Sequence, residues 1–198
     1  MSLFEIENLG LWILLGVAVL VIFYLITAFN RLVTYRQAVK TAWSDIDVQL
    51  QRRYDLIPNL VETAKGYMKH ERELLERVTA ARSGALSALQ ASQGGPTPQL
   101  AAAEGQLGGL MRSMMIQVEA YPELKANTNM MQLSEEITST ENKVSFSRQY
   151  YNDSVNGNNT AVESFPTNIV ARLFGFKTAE FFNVENRDEV KKAPKVTF

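Results

Sequence analysis

The sequence predicts an all-α fold, a single N-terminal transmembrane helix followed by a long antiparallel helical bundle. Three observations carry this expectation. Leu9–Phe29 is a run of 21 residues without a charged side chain. From Val39 onward apolar residues recur at alternating spacings of four and three, the mark of one buried stripe on a long helix. The stretches between periodic segments concentrate glycine and proline, as in "SQGGPTP" (92–98), and such clusters cannot continue a helix.

At about 1.5 Å per residue, a helix over Leu9–Phe29 matches the roughly 30 Å apolar core of a bilayer. Trp12 stands near one end of the run, with Tyr24, Phe29 and Tyr35 near the other, as interfacial aromatics do. A cleaved signal peptide needs basic residues ahead of the apolar run. Here the charges before Leu9 are Glu5 and Glu7, so a retained anchor is expected. Arg31, Arg36 and Lys40 follow the span and no lysine or arginine precedes it. The positive-inside rule then places residues 1–8 outside and residues 30–198 in the cytoplasm, most simply at a bacterial inner membrane.

The first bundle helix carries two coiled-coil-like seams. One runs Val39, Ile46, Arg53, Leu60, Tyr67, Leu74, Ala81 and Ala88, the other Trp43, Leu50, Ile57, Ala64, Glu71, Val78 and Ala85. The phase survives across Pro58, which predicts a kinked rather than ended helix there, with Gly66 as a second candidate discontinuity. A second helix is expected from Pro98 or Gln99, with Leu107, Met111, Met114, Val118 and Tyr121 on its seam. Gly105, Gly108 and Gly109 weaken it and form a GxxxG-like pair for close helix contact. Pro122 pushes Tyr121 out of the helical region. A third helix follows with Met130, Ile137, Val144, Tyr151, Asn158 and Phe165 on one seam. In "SFPTNIVARLFGFKTAEFF" (164–182), Thr167 is the expected N-cap and Gly175 the left-handed residue after the helix, which folds Phe176 back on Ala171. This aromatic segment reads as a cap on the bundle end, or as a wedge against lipid or a neighbouring subunit. The expected organisation is a tail (1–8), the membrane helix (9–29), a cytoplasmic bundle (30–182) with its aromatic cap (164–182), and a C-terminal tail (183–198).

The chemistry available is narrow. There is no cysteine and one histidine, His70, which leaves no ordinary structural zinc set. The position one turn after His70, where a zincin needs its second histidine, is Leu74. No nucleophile elbow and no P-loop appear. With 20 Lys+Arg against 21 Asp+Glu, the chain carries no nucleic-acid footprint. No catalytic, metal-binding or cofactor-binding residue is expected.

Four blocks resemble the LemA family: "AWSDIDVQLQRRYDLIPNLVETAKGYMKHE" (42–71), "EAYPELKAN" (119–127), "TENKVSFSRQYYNDSV" (140–155) and "FPTNIVARLFGF" (165–176), with "APKVTF" at the end. They occur in the family's order and cover most of the chain outside the anchor. The resemblance implies a membrane anchor and a long helical bundle, with no established activity and no agreed cofactor. It implies envelope or membrane-protease partners by association, and a relation to proteins that build bacterial organelles. It also marks Arg53, Asp55, Pro58, Asn59, Glu62, Glu141, Asn142, Arg148, Phe165, Phe174 and Phe176 as interaction candidates. Asn158 stands where an aromatic is expected.

Arg53 on the seam is costly unless paired. A facing carboxylate, Glu141 first and Glu135 second, is the expected partner, fixing helix register. "VTF" at the end places Val196 and Phe198 on one side of an extended strand, suited to docking on the bundle or on a partner. The function expected is a non-enzymatic membrane scaffold or adaptor, homo-oligomeric. A membrane-remodelling or lipid-binding protein is the alternative, and an envelope enzyme a distant third.

Overall fold

The computed structural model describes residues 3–183, with side chains from Gly10 onward. The fold is all-α, with six helices and no strand among the described residues. They are α1 (Leu3–Lys65), α2 (Arg72–Ala91), α3 (Pro98–Ala120), α4 (Pro122–Lys125), α5 (Thr128–Glu163) and α6 (Thr167–Leu173). The described residues divide into two compact units, one ending its first segment at Val39 and adding Ser154–Ala179, the other formed by Lys40–Asp153 and residues 180–183. The division falls inside the segment expected to form one bundle over 30–182.

The first unit contains the apolar run. α1 is long and apolar enough to cross a membrane by length and composition, and its side chains from Leu11 to Phe23 are exposed. At the end of that run a small core forms from Ala28, Leu32, Val170, Ala171 and Phe176, with Leu25, Phe29, Val33, Ala161 and Val162 against it. Phe29 meets Phe174 and Phe176 edge-on, with ring centroids 5.0 and 5.6 Å apart. Gly157 gives the Tyr35 ring room on α5, where an added Cβ would stand 3.4 Å from it.

Two expectations are corrected here. The α5 seam does not reach Phe165, because the helix ends at Glu163 and Phe165 is 80% exposed. Pro166 disfavours helical backbone at the residue before it. Thr167 is the first residue of α6 rather than its cap. Pro166 holds the cap position with no side-chain bond, while the Asn168 N–H is satisfied by the Ser164 carbonyl at 2.8 Å. At the other end Gly175 is left-handed, with φ of 71°. The Phe176 N–H reaches the Ala171 carbonyl at 2.9 Å and the Gly175 N–H reaches that of Arg172 at 3.4 Å. These two bonds make the Schellman ending that the sequence predicts.

In the second unit the α1 seam is buried through Trp43, Ile46, Leu50, Arg53, Ile57, Leu60 and Ala64. The helix continues through Pro58 and ends beside Gly66, so the discontinuity lies at Gly66. The helix is interrupted there, and the expected phase resumes in the next helix at Val78. Tyr67 is exposed and Met68 buried. α2 then buries Val78, Ala81 and Ala85 as the expected seams have them, with Leu75 and Leu89 in place of Leu74 and Ala88. The intervening turn folds the Tyr67 and Met68 N–H groups back to the Ala64 carbonyl.

α2 and α3 pack as a hairpin. Gln93 and Gly94 have positive φ in its loop, and Thr97 caps α3 by accepting the Leu100 N–H at 3.1 Å. Tyr121 is extended ahead of Pro122, and the Asn127 side chain caps α5 through the Met130 N–H at 3.1 Å. α5 buries Met130, Ile137, Val144 and Tyr151. Gly108 and Gly109 do not sit against another helix, since an added Cβ at either meets nothing within 4 Å.

Candidate functional site

The seam position of Arg53 organises the second unit. α1 presents Arg53 and Tyr54 to α3 and α5, where a lone cation could not be buried without a counter-charge. Arg53 is 1% exposed. Its Nη1 donates to both oxygens of Glu141, at 3.1 and 3.2 Å, so the expected Glu141 contact is present. Glu135 is exposed instead. Arg53 Nη2 donates to Oε2 of Glu104, a residue that the sequence reading did not select. Glu104 is 2% exposed and accepts two further bonds, from Arg148 Nη2 at 2.9 Å and from the Tyr54 hydroxyl at 2.5 Å.

Two guanidinium groups therefore face two carboxylates across three helices. Burial disfavours the Arg53 cation, but Glu104 and Glu141 outweigh it and hold its pKa above the ordinary arginine value. Burial also disfavours the Arg148 cation; with Arg53 as a like charge nearby, its pKa is lowered despite Glu104. The Tyr54 phenol is pushed up by burial first and then by Glu104, which keeps it a donor. The Arg148 guanidinium stacks 5.4 Å above the Phe182 ring, and Phe182 also meets Trp43 edge-on at 5.6 Å.

This arrangement suits register fixing better than proton transfer. Both Glu104 oxygens are occupied by donors, and the charges balance. A cleft of about 570 Å³ opens beside the network, lined by Glu104, Gly105, Gly108, Arg112, Asn142 and Arg148 among others. Asn142, exposed on α5, stands at its rim. The buried Nε groups of Arg53 and Arg148 have no acceptor among the described residues. Among the described residues no cluster of three or more His, Asp or Glu could hold a metal.

The remaining candidates lie elsewhere. Asp55, Pro58, Asn59 and Glu62 are exposed on α1, and Glu62 pairs with Lys65 at 2.9 Å. Phe165 and Phe174 are exposed in the first unit while Phe176 is buried in its core. Phe198 lies outside the described residues. His70 is an exposed turn residue.

The sequence reading also missed two asparagines, Asn152 and Asn159, and left the partner of a third, Asn158, open. In the first unit Asn159 grips Ala179, accepting its N–H at 2.8 Å and donating to its carbonyl at 3.0 Å. Asn158 donates to the Lys177 carbonyl at 3.3 Å. This is how a polar side chain occupies the seam position where an aromatic was expected. In the second unit Asn152 treats Phe182 as Asn159 treats Ala179, at 2.9 and 3.3 Å.

The fold and the network define a class: an all-α protein with an N-terminal helix of membrane-spanning length and a bundle registered by buried ion pairs. The chain belongs to the LemA family, which matches residues 42–198. It is 25% identical to magnetosome protein MamQ of Magnetospirillum gryphiswaldense over 179 residues, covering 80% of this chain and 66% of that protein. It is 24% identical to magnetosome protein MamQ 2 of Paramagnetospirillum magneticum, over 80% of this chain and 65% of the relative. The chain thus spans just under two thirds of these magnetosome proteins. It is also 26% identical to protein LemA of Metamycoplasma hominis, over 81% of this chain and 71% of that protein.

Proposed function

We propose that this protein is a non-enzymatic scaffold or adaptor anchored in the bacterial cytoplasmic membrane by a single span, with its N-terminus outside and its bundle in the cytoplasm. One observation carries the reading: α1 runs without interruption from the exposed apolar stretch into the bundle seam. A helix that is both anchor and core strut displays a bundle at a membrane. The charge-balanced network at Arg53 fits a structural role, and likeness to proteins named for the magnetosome favours an organising task. Its partners are other copies of the chain and an envelope or membrane-protease protein, not nucleic acid.

Reporter fusions test the topology. A reporter fused after Phe198 is expected to behave as cytoplasmic, because Arg31, Arg36 and Lys40 flank the span on that side alone. Alkaline phosphatase activity from that fusion overturns the orientation. Moving three lysines ahead of Leu9 is expected to weaken or invert it.

A second reading, a lipid-binding or membrane-remodelling protein, is favoured by the exposed apolar side chains of α6. Deformation of anionic vesicles by the purified full-length protein would support it over a pure scaffold.

A further inference from the structure

We infer that α6 is an interfacial element that lies in the bilayer surface beside the anchor, inserting Phe165, Ile169 and Leu173 among lipid headgroups and upper acyl chains. The inference rests on the anchor reading above.

The position of α6 on α1 is the first ground. Its inward face, Val170 and Ala171, packs on Ala28 and Leu32, with Leu25 and Phe29 alongside. The Thr167 hydroxyl lies 3.5 Å from that of Tyr24. Tyr24–Phe29 is the last roughly 8 Å of the apolar run. A segment attached there sits at the edge of the hydrocarbon, whichever way the anchor points.

The outward face is the second ground. Phe165, Ile169 and Leu173 recur every four residues and are 80%, 58% and 70% exposed. Phe174 beside them is 53% exposed, although its ring touches Phe29. Four large apolar side chains in water within ten residues form a patch that calls for an occupant. Their level on the anchor makes lipid the occupant, because the span's own exposed side chains need lipid at the same height.

Charge is the third ground. On this side of the run, residues 30–39 and 154–179 contain Arg31, Arg36, Arg172 and Lys177 against Glu163 alone, all of them exposed. The Arg36 guanidinium lies over the Phe176 ring at 5.0 Å, which holds a cation next to the apolar patch. Aromatic and aliphatic side chains below and basic groups at the rim are the pattern of a segment lying in an anionic headgroup layer.

The chain has no cysteine, so single-cysteine variants of the full-length protein can each carry one environment-sensitive fluorophore. The labels go on Phe165→Cys, Ile169→Cys and Leu173→Cys, with Leu14→Cys in the span and Glu119→Cys on an exposed part of α3 as references. The protein is reconstituted in vesicles of equal parts phosphatidylcholine and phosphatidylglycerol, with bromine near the headgroup or deep in the acyl chain. Labels at 165, 169 and 173 are expected to be quenched by the shallow bromine at least about twofold more than the label at 119. The label at 14 is expected to respond to the deep bromine. If 14 responds while 165, 169 and 173 behave like 119, α6 faces water and the inference is overturned with the anchor intact. Blue-shifted labels at those three sites that no bromine quenches would mean a second protein copy covers the patch, which also overturns it. No response at 14 removes the anchor reading itself.

Discussion

The backbone carbonyl of Tyr54, which Pro58 leaves without its intrahelical donor, accepts the Nε–H of Arg82 at 3.0 Å. A proline inside a helix removes the amide that would bond four residues back. α2 supplies the replacement, so the proline ties two helices together. Arg82→Met is expected to cost about 1 kcal/mol, the cost of an unsatisfied, partly buried carbonyl. Pro58→Ala restores the missing amide. In that background Arg82→Met is expected to lose most of its effect in denaturant titrations. An equal cost in both backgrounds would show that the bond is incidental.

The Arg53 network makes a larger claim. Arg53→Ala strands the buried Glu104 with Arg148 and Tyr54, and is expected to cost about 3 kcal/mol or more. Arg53→Leu is expected to preserve helicity while loosening register. Glu104→Ala is expected to cost as much as Arg53→Ala, since it leaves the buried Arg53 and half-buried Arg148 guanidiniums without the carboxylate between them. The double variant is expected to cost at least about 1 kcal/mol less than the sum of the singles. Additive costs would mean that the two side chains are not energetically coupled.

Arg53 shows how far the sequence could be read. Seven-residue spacing fixed its burial, and burial of a cation demands an anion, which led to Glu141. The same logic reaches Glu104, because it lies four residues after Leu100 and three before Leu107, on the buried stripe of α3. Its surroundings of alanine and glycine hid it, since small residues blur a helical stripe. The asparagine grips were harder to see. Asn152 and Asn159 bind backbone groups of an irregular segment, and no side-chain pattern in 177–183 announces such partners. The break at Gly66 was a named candidate, but nothing in the spacing chose it over Pro58, because Val78, Ala81 and Ala85 keep the phase beyond it.

The asparagine grips are testable one at a time. Asn159→Ala leaves the Ala179 N–H and carbonyl without that partner, and a loss of about 2 kcal/mol is expected. Asn159→Asp keeps the acceptor and loses the donor, so it is expected to fall between wild type and alanine. Hydrogen exchange at the Ala179 amide gives a local readout. Exchange there that is unchanged in Asn159→Ala would remove the grip from the account.

Alkaline pH is expected to weaken the second unit through its tyrosines. Burial first, and then the nearby Glu180, push the Tyr151 phenol up to about 12 from its ordinary 10.0. Its hydroxyl donates to the Glu180 carbonyl at 2.9 Å. The folded state therefore holds this proton more tightly than the unfolded chain. The resulting stability is complete below pH 10 and is lost as pH rises toward 12. The buried Tyr54 phenol shifts in the same direction. Tyr151→Phe is expected to be less stable at neutral pH and to decline less steeply between pH 10 and 12. Parallel declines for the two proteins would assign the alkaline loss to other groups.

Assembly is the last expectation, and Gly108 is where it separates from stability. Gly108 lines the cleft beside Glu104, and a methyl group there would meet nothing within 4 Å among the described residues. Judged by helix propensity alone, Gly108→Ala should stabilise the bundle by up to about 1 kcal/mol. A glycine in open space within α3 is therefore kept at a cost, and close approach of a second copy is one use for it. The anchor confines copies to two dimensions, which raises their effective concentration for each other, and closed symmetric assemblies are the usual result. Full-length protein in mild detergent is expected to run as a discrete homo-oligomer by light scattering. Gly108→Ala is expected to raise the unfolding midpoint while shifting that oligomer toward monomer. If the midpoint rises and the oligomer is unchanged, the glycine face is not the contact. If wild type is monomeric across a range of mild detergents, the adaptor works one chain at a time.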